Sequence, residues 1–318
     1  MNETIKYVTI MIPTFNQSKY IEQCINSVLE QDYLNIEIII SDDSTNNETT
    51  QIVQDKFLVY HNVKYFRNNP PLGRVNNYHT TLYEHASGDY VLNLDGDDWL
   101  IDSHYISKAV KILNSDKMIV CVIGNQITFE EKAGKFIDTR LNKFLKPIND
   151  GNILFLDYPN KEISINHMTT VYRRIDAMAI NFYRMDTRSS DRESLLRLIL
   201  GKKVGYIDGI AGAWRLHEKN FSLPLDKTER YDDLKFIDSV YHFALNKNIF
   251  DKKILYDWYK KMKFLDLYII FYDSVRYLKF KQFFKFHIIG FKNDKKLFLL
   301  LFPRLVKTIF VDHVFRIK

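Results

Sequence analysis

A chain of 318 residues with 46% hydrophobic and 26% charged residues can bury a large core, and no stretch of about 18 apolar residues predicts a membrane-spanning helix. The net charge of +6 is concentrated in residues 251–318, which hold 16 Lys and Arg against six Asp and Glu, so the slightly acidic remainder is not predicted to bind nucleic acid. The polar first residues do not predict a signal peptide, and Cys24 and Cys121 lack metal or redox spacing, which predicts a cytoplasmic protein with reduced core cysteines.

The first 116 residues alternate between buried strands and amphipathic helices. Apolar runs predict strands over residues 7–12, 36–40, 63–66 and 90–94. Helical spacing predicts a helix from Ser18, as N-cap, to Leu29, and further helices over 47–57 and 74–85. Such alternation predicts an α/β, Rossmann-like fold with a mostly parallel sheet flanked by helices.

Three polar clusters follow these strands, at 13–16, at Asp42-Asp43 and at Asp95-Gly96-Asp97-Asp98. Ligands of open α/β sheets bind outside the carboxyl ends of the strands, so we expect the clusters to converge in one cleft. Three carboxylates within four residues repel one another, and a divalent cation would neutralise them. A solvated Asp-Gly turn is the alternative interpretation of the acidic cluster by itself. The sequence has neither a GxGxxG nor a Walker A motif.

The second half is less regular. Apolar runs predict strands over 118–123, extending through 126–129, and over 166–172 and 204–207, while 130–165 carries no clear pattern. An acidic first turn followed by helical spacing predicts a helix from Asp191 to Leu200.

Five motifs, in this order, resemble the GT-A glycosyltransferases of family 2 over about residues 5–220. They are Ile12-Pro13-Thr14-Phe15-Asn16, Ser41-Asp42-Asp43-Ser44, the Gly88-Asp89-Tyr90 approach to Asp95-Gly96-Asp97-Asp98, the Asp191 helix, and Trp214-Arg215-Leu216-His217. The resemblance implies the GT-A fold and transfer of a sugar from a nucleotide-sugar, with inversion at the anomeric carbon. The Gln-x-x-Arg-Trp element of processive polysaccharide synthases is absent, which predicts that one or a few sugars are added per binding event.

The same resemblance assigns the acidic cluster to a metal. Asp95 and Asp97 match the carboxylates that hold Mn²⁺ or Mg²⁺ at the diphosphate of the donor, with Asp98 in support. Arg74 lies where a basic side chain approaches the nucleotide, and a solvated loop arginine is the alternative.

The remaining nucleotide-sugar assignments lie at the ends of the first two strands. Asp43 matches the acid that binds the base, usually uracil, while Pro13 and Thr14 match the turn beneath base and ribose, and Asn16 is assigned to the same site. An Asx turn that caps the next helix is the structural alternative for both Asp42 and Asp43, and for Asp42 it weighs equally with ligand contact.

Asp191 matches the family's catalytic base, which deprotonates the acceptor hydroxyl. A second acid usually precedes this Asp, where the chain has Ser190, and Glu193 is the competing candidate. A purely structural interpretation has Asp191 complementing a helix N-terminus. Arg215 and His217 resemble the late Arg-x-His element near the diphosphate or the metal, although a lone His is more often structural.

The predicted catalytic domain spans residues 1–220, with a nucleotide-sugar half of about 1–116 and an acceptor half of about 117–220. Residues 221–318 are predicted to form a basic, aromatic-rich helical region, with the boundary at 221–225. Its apolar runs at 264–271, 277–286 and 297–302 are too short and charged to span a bilayer, but they suit peripheral contact with the inner face of the cell membrane. A helical bundle on the catalytic domain and a homodimer contact are the alternatives.

The sequence therefore predicts an inverting, metal-dependent glycosyltransferase. Its donor is a nucleotide-sugar, with UDP-sugars favoured, and its acceptor a hydroxyl of a cell-surface polysaccharide or lipid-linked glycan precursor. A nucleotidyltransferase, which can share the fold and the acidic metal site, is the alternative enzyme. A catalytically silent nucleotide-sugar or glycan binder is the alternative outside catalysis, since Ser190 departs from the family pattern.

Overall fold

A computed structural model of the chain describes residues 6–140, 142–159, 163–220 and 232–277. The chain divides into two compact units, Met1–Leu223 and Pro224–Lys318. The predicted boundary at 221–225, the run at 297–302 and nearly all of the run at 277–286 lie outside the described residues.

One ten-stranded sheet organises the first unit. Its strands are β1 (Val8–Thr14), β2 (Ile36–Asp42), β3 (Val63–Arg67), β4 (Tyr90–Asn93), β5 (Trp99–Leu100), β6 (Ile119–Glu130), β7 (Lys135–Arg140), β8 (Ile148–Asp150), β9 (Thr170–Arg173) and β10 (Lys203–Leu216). Their order is β3-β2-β1-β4-β9-β6-β10-β5, with β7 paired to β6 and β8 to β10. Strands β1 to β4 are parallel, as are β6 and β10, whereas β9 is antiparallel to both neighbours. The predicted mostly parallel α/β sheet is confirmed.

Helices connect the strands and cover the sheet. In the first unit they are α1 (Ile21–Leu29), α2 (Glu48–Lys56), α3 (Arg74–Thr80) with a following π turn (Thr81–His85), α4 (Tyr105–Ser115), α5 (Gly151–Asp157), a 3₁₀ turn (His167–Thr169), α6 (Arg174–Ala179) and α7 (Ser190–Leu198). The buried face of α1 repeats at helical spacing through Ile21, Cys24, Ile25 and Val28, and it packs into the core beneath β1 and β2. Burial of each large aliphatic side chain there contributes about 1.5–3 kcal/mol. Cys24 and Cys121 are buried and unpaired, as predicted.

Two predicted boundaries near the N-terminus are wrong. Helix α1 begins at Ile21 without a side-chain cap, because the Ser18 hydroxyl donates to Glu48 instead of capping the helix. Strand β1 continues through Pro13 to Thr14. Proline is tolerated there because its backbone faces the β4 side, where the ladder has already ended at Met11.

Two later boundaries also differ from the prediction. The segment predicted as a strand over 166–172 begins with the 3₁₀ turn, and β9 follows it. The run at 204–207 and the Trp214 motif belong to one strand, β10. Irregular pairing between Tyr206 and Ile210, with Gly209 at φ 139°, accounts for the apparent break.

Glu37 ties four strands together at the edge where the parallel strands begin. Its buried carboxylate accepts hydrogen bonds from Thr9 Oγ1 (2.5 Å), Lys64 Nζ (2.9 Å), the amide and hydroxyl of Ser87, and the Gly88 amide. Burial alone would raise the pKa of Glu37, but these donors hold the pKa below its ordinary value. The hydrogen-bonded carboxylate of Glu37 therefore holds the strands together at the edge opposite their C-termini.

The described part of the second unit is a pair of helices, α8 (Lys235–Lys247) and α9 (Lys252–Tyr277). Asp238 on α8 accepts a hydrogen bond from Tyr259 (2.6 Å) and pairs with Lys263 (2.8 Å) on α9. Within the described residues, no helix has the length and apolar character needed to cross a membrane.

Candidate active site

The acidic loop that follows β4 is fastened to the end of β1. The amide of Leu94 donates to Met11 O (2.8 Å) and that of Gly96 to Pro13 O (3.1 Å). A Cβ atom at Gly96 would lie 2.8 Å from both Thr14 Oγ1 and Gln17 Oε1, so only glycine fits this contact without a shift. Close packing against β1 therefore sets the position of the carboxylates on either side of Gly96.

Asp95 lies among hydrogen-bond donors. Its Oδ1 accepts from Tyr78 Oη at 3.0 Å, and its Oδ2 lies 3.3 Å from His167 Nε2. Burial would raise the pKa of Asp95, but the charge and hydrogen bond of His167 hold it below the ordinary value. Burial likewise opposes charge on His167, and the adjacent Asp95 raises its pKa. Asn93 Nδ2 lies 3.1 Å from His167 Nδ1, the ring nitrogen that does not face Asp95.

Asp97 pairs with His217, which supports the prediction that these residues share a site. Its Oδ2 lies 2.9 Å from His217 Nε2, and both side chains are nearly buried. The Lys219 amide donates to His217 Nδ1, which places the ring proton on Nε2. Asn220 closes this turn by accepting from the His217 amide and donating to Arg215 O.

Asp98 points away from this pair. Its Oδ1 accepts from the Arg215 amide (2.9 Å), and burial, together with the charges of Asp97 and Asp95, raises its pKa well above the ordinary value. Through this bond Asp98 connects the acidic loop to β10.

Arg215 braces the acidic loop from behind. Its Nε donates to Asp97 O (2.9 Å) and its Nη2 to Gln23 Oε1 (2.5 Å). The guanidinium lies 4.5 Å from the Trp99 ring centre and 4.8 Å from that of Tyr20. The sequence assigned Arg215 to the nucleotide-sugar, whereas these contacts give it a role in holding the loop.

Asp191 lies in the first turn of α7, near the same cluster. Burial lowers the pKa of His167 and of Arg74, and the negative charge of Asp191 is among the causes that raise both. Arg74 is held by Thr187 O (2.6 Å), in the loop that leads into α7. The hydroxyls of Thr187 and Ser190 are buried without a hydrogen-bond partner among the described residues, so polar groups are available beside Asp191.

Glu193 is fully buried and structural in character. It accepts from Arg197 Nη2 at 2.7 Å and from Arg184 Nε at 3.2 Å. These contacts disfavour Glu193 as an alternative base, because its carboxylate is sequestered from any substrate.

The carboxylates that end β2 are engaged by the protein. Asp42 accepts from the Ser44 amide (2.7 Å) in an Asx turn and pairs with Arg67 (2.9 Å), which favours the turn over ligand contact. Asp43 is buried and accepts from Asn68 Nδ2 and from the amides of Leu72 (3.1 Å) and Gly73 (2.8 Å). The carboxylate that the sequence assigned to the nucleobase therefore also holds the 68–73 loop in place.

Asn16 connects the ends of β1 and β2. Its φ angle is 53°. The side chain donates to Thr45 Oγ1 and accepts from the Thr45 backbone amide, and the Asn16 backbone amide donates to Ser44 Oγ (2.8 Å). Thr14 accepts the Asp43 amide through its carbonyl (2.9 Å). The two predicted clusters therefore converge at one edge of the sheet.

The donor set of the acidic loop suits a hard divalent cation. Two carboxylates, Asp95 and Asp97, are an appropriate oxygen pair, and Mg²⁺ or Mn²⁺ commonly completes such a site with water and phosphate oxygens. No group of three His, Cys, Asp or Glu side chains among the described residues is arranged to hold an ion by itself. Asp95 and Asp97 would therefore need further oxygen ligands to hold an ion.

Sequence reasoning missed three aromatic residues of this cluster. The Tyr78 ring lies 5.5 Å from that of His167 and 5.2 Å from that of Tyr183. None of them belongs to a recognisable motif, and the helical spacing of Tyr78 indicates only a core position. Their proximity to Asp95 depends on pairing between distant segments.

A model of the family described as Glycosyl transferase family 2 matches residues 9–178, more than half of the chain. The chain belongs to this family. The match runs from β1 through β9 and includes the acidic loop.

Curated relatives match over part of their length. The chain is 36% identical over 98 residues to the GalNAc(5)-diNAcBac-PP-undecaprenol beta-1,3-glucosyltransferase of Campylobacter jejuni, covering 30% of each protein. It is 24% identical over 222 residues to the glycosyltransferase GlyA of Streptococcus pneumoniae, covering 68% of this chain and 31% of GlyA. The chain thus spans less than a third of these relatives.

Solved structures share the fold. TarS 1–349 of S. aureus, in complex with UDP-GlcNAc, has a TM-score of 0.68 at 17% identity and covers 88% of this chain and 79% of its own. The mannosyltransferase PcManGT of Pyrobaculum calidifontis, in complex with GDP-Man and Mn²⁺, has a TM-score of 0.59 at 13% identity and covers 96% of this chain and 88% of its own. The GT-A fold expected from the motifs is confirmed.

Proposed function

We propose that this glycosyltransferase is inverting and metal-dependent, and that it transfers a sugar from a nucleotide-sugar, with UDP-sugars favoured, to a glycan hydroxyl. The observation that carries the proposal is the meeting of distant segments: Asp95 lies 3.3 Å from His167 Nε2, and Arg74 donates to Thr187 O, in the loop that leads to Asp191. This arrangement supports a donor-phosphate site and a base for the acceptor hydroxyl in one cleft.

Each residue has a distinct role in the proposal. Asp95 and Asp97 would hold Mn²⁺ or Mg²⁺, which neutralises charge on the departing diphosphate. Asp191 accepts the proton of the attacking hydroxyl, and its carboxylate is the strongest base candidate because Glu193 is sequestered. Arg74 adds positive charge beside this cleft.

The nucleotide lies at the ends of β1 and β2. Pro13, Thr14 and Asn16 form its floor, and Asp43 orders the adjacent loop through the Leu72 and Gly73 amides. TarS bound to UDP-GlcNAc and PcManGT bound to GDP-Man and Mn²⁺ support a nucleotide-sugar donor and a divalent ion.

The acceptor is a cell-surface polysaccharide or a lipid-linked glycan precursor. The name of the Campylobacter relative, which refers to a diphosphoundecaprenol-linked saccharide, supports the lipid-linked case. For such an acceptor we propose a cytoplasmic protein that contacts the inner face of the membrane through residues 251–318, which are strongly basic.

A donor screen tests this function. UDP- and GDP-sugars are added with Mn²⁺ or Mg²⁺, and both the melting temperature and nucleotide release are measured. At least one donor should stabilise the wild type and be hydrolysed slowly; Asp97→Asn should lose both effects, and Asp191→Asn should keep donor binding but lose transfer. Asp55→Asn, at an exposed position on α2, is the matched control.

Two outcomes would contradict the proposal. Release of pyrophosphate from a nucleoside triphosphate would identify a nucleotidyltransferase. Donor binding without hydrolysis or transfer in the wild type, with every donor tested, would identify a silent binder.

A further inference from the structure

A groove of about 940 Å³ lies between α1 and the strands that follow the acidic loop. One wall is the outer face of α1, and the other is built from apolar and aromatic residues of β5, β6, β7 and β10. Its lining includes Gln23, Asn26, Glu30, Trp99, Ile101 and Phe136.

The α1 wall offers hydrogen-bonding groups with little net positive charge. Gln23, Asn26 and Glu30 follow one another at helical spacing and are exposed. Lys19 is paired with Glu131 at 2.5 Å, and Glu22 with Lys56 at 2.7 Å. An anionic ligand would meet Glu30 on this wall, where Glu131 already neutralises Lys19.

The opposite wall offers apolar surface to solvent. The Phe136 side chain is 50% exposed and that of Ile101 43%. Phe136 stands beside Trp99 and Phe129, with ring centres 6.4 and 5.3 Å away, so the aromatic surface is held in place by its neighbours.

A groove with an amide and carboxylate wall facing an aromatic wall fits an uncharged saccharide. A sugar ring presents C–H groups on its faces, which pack on aromatic rings, and hydroxyls at its rim, which bond to amides and carboxylates. A purely apolar ligand would bury the polar groups of α1 without partners, which is costly. The dimensions are those of a small-ligand site.

None of Asp95, Asp97, Asp191 and His167 lines this groove. Arg215 separates it from the acidic loop, because its guanidinium contacts Gln23 and Trp99 on the groove side and Asp97 O on the other. The groove is therefore a different surface from the proposed donor cleft, and the Arg215 side chain lies between the two.

We propose that this groove is a second saccharide-binding site, which holds an uncharged part of the acceptor glycan away from its reacting hydroxyl. The assignment to an acceptor rests on the proposed glycosyltransferase function. The saccharide-binding property itself rests only on the groove.

Saturation-transfer NMR titrations of the full chain test the proposal, with maltotriose, cellotriose and chitotriose as probes and without any donor. At least one probe should bind the wild type. Phe136→Ala should weaken binding about fivefold or more, and Asn26→Ala, on the opposite wall, should weaken it about as much. Phe144→Ala, at another exposed phenylalanine, is the matched control and should leave binding unchanged.

The test separates this site from the donor cleft. Binding should persist in Asp97→Asn and in the presence of saturating UDP, and donor hydrolysis should be unaffected in Phe136→Ala. Failure of all three probes to bind, binding that survives both groove substitutions, or binding abolished by UDP would overturn the proposal. If no nucleotide-sugar is hydrolysed by the wild type while saccharide binding follows the groove variants, only the proposed glycosyltransferase function fails.

Discussion

Glu193→Gln tests whether the two acids of α7 have separate roles. Glu193 is fully buried and pairs with Arg197, whose side chain is also fully buried, at 2.7 Å. Removing one partner of a buried ion pair leaves an uncompensated charge and costs about 3–5 kcal/mol. Because Gln keeps an acceptor oxygen for Arg197, we expect the lower end, about 3 kcal/mol. At roughly 2–4 °C per kcal/mol for a unit of this size, the melting temperature should fall by about 6–12 °C.

Thermal unfolding and donor-dependent transfer are measured on the same preparations, with transfer assayed well below the lower melting temperature. Glu193→Gln should retain transfer within about threefold, since its carboxylate does not face the cleft. Asp191→Asn is the matched comparison at a half-buried position: its melting temperature should change by no more than about 2 °C, and transfer should be lost. A Glu193→Gln variant that keeps its melting temperature and loses transfer would refute this division.

Three further outcomes are expected. Acid should destabilise the fold partly through Glu37: its folded-state pKa lies below the ordinary value, so its stabilisation is present above about pH 4.3 and is lost as the pH falls through the folded pKa. Between about pH 5 and 3, the range in which Glu37 titrates, the melting temperature of Glu37→Gln should therefore depend less steeply on pH than that of the wild type. Equal slopes would show that Glu37 does not contribute to the acid sensitivity. Gly96→Ala should weaken donor binding about tenfold or more in calorimetric titrations, because the new methyl group collides with Thr14 and displaces the acidic loop; unchanged affinity would show that the loop tolerates the shift. Arg215→Lys should reduce metal-dependent donor binding despite its retained charge, since an ammonium loses the planar stacking and the Nε bond to Asp97 O; wild-type affinity would show that charge alone suffices.

Local patterns predicted much of this fold. Apolar runs located β1 to β4 to within two residues at each end, because buried parallel strands are continuous hydrophobic segments. The acidic loop was recognisable because three carboxylates follow a strand directly. These features depend on neighbours in the sequence.

The surroundings of the predicted site residues depend on distant contacts and were not predictable. Asp43 is enclosed by the Leu72 and Gly73 amides, and Arg215 by rings from two other segments. Nothing near His167 in the sequence indicates that it meets Asp95. A pattern of residue types locates a charge in the fold, but the identity of its partners follows from chain pairing.

The reversed direction of β9 affects how this sheet could diversify. An antiparallel strand enters the sheet at the edge where its parallel neighbours leave it, so His167, just before β9, arrives beside the loop that follows β4. Between β6 and β9 the chain adds β7 to β6 and β8 to β10 before it returns to this edge. Length changes in the turns between these strands would leave the β4–β9 pairing, and with it the approach of His167 to Asp95, in register. The fold thus separates turns whose length can change from the strand pairing that positions His167 beside Asp95.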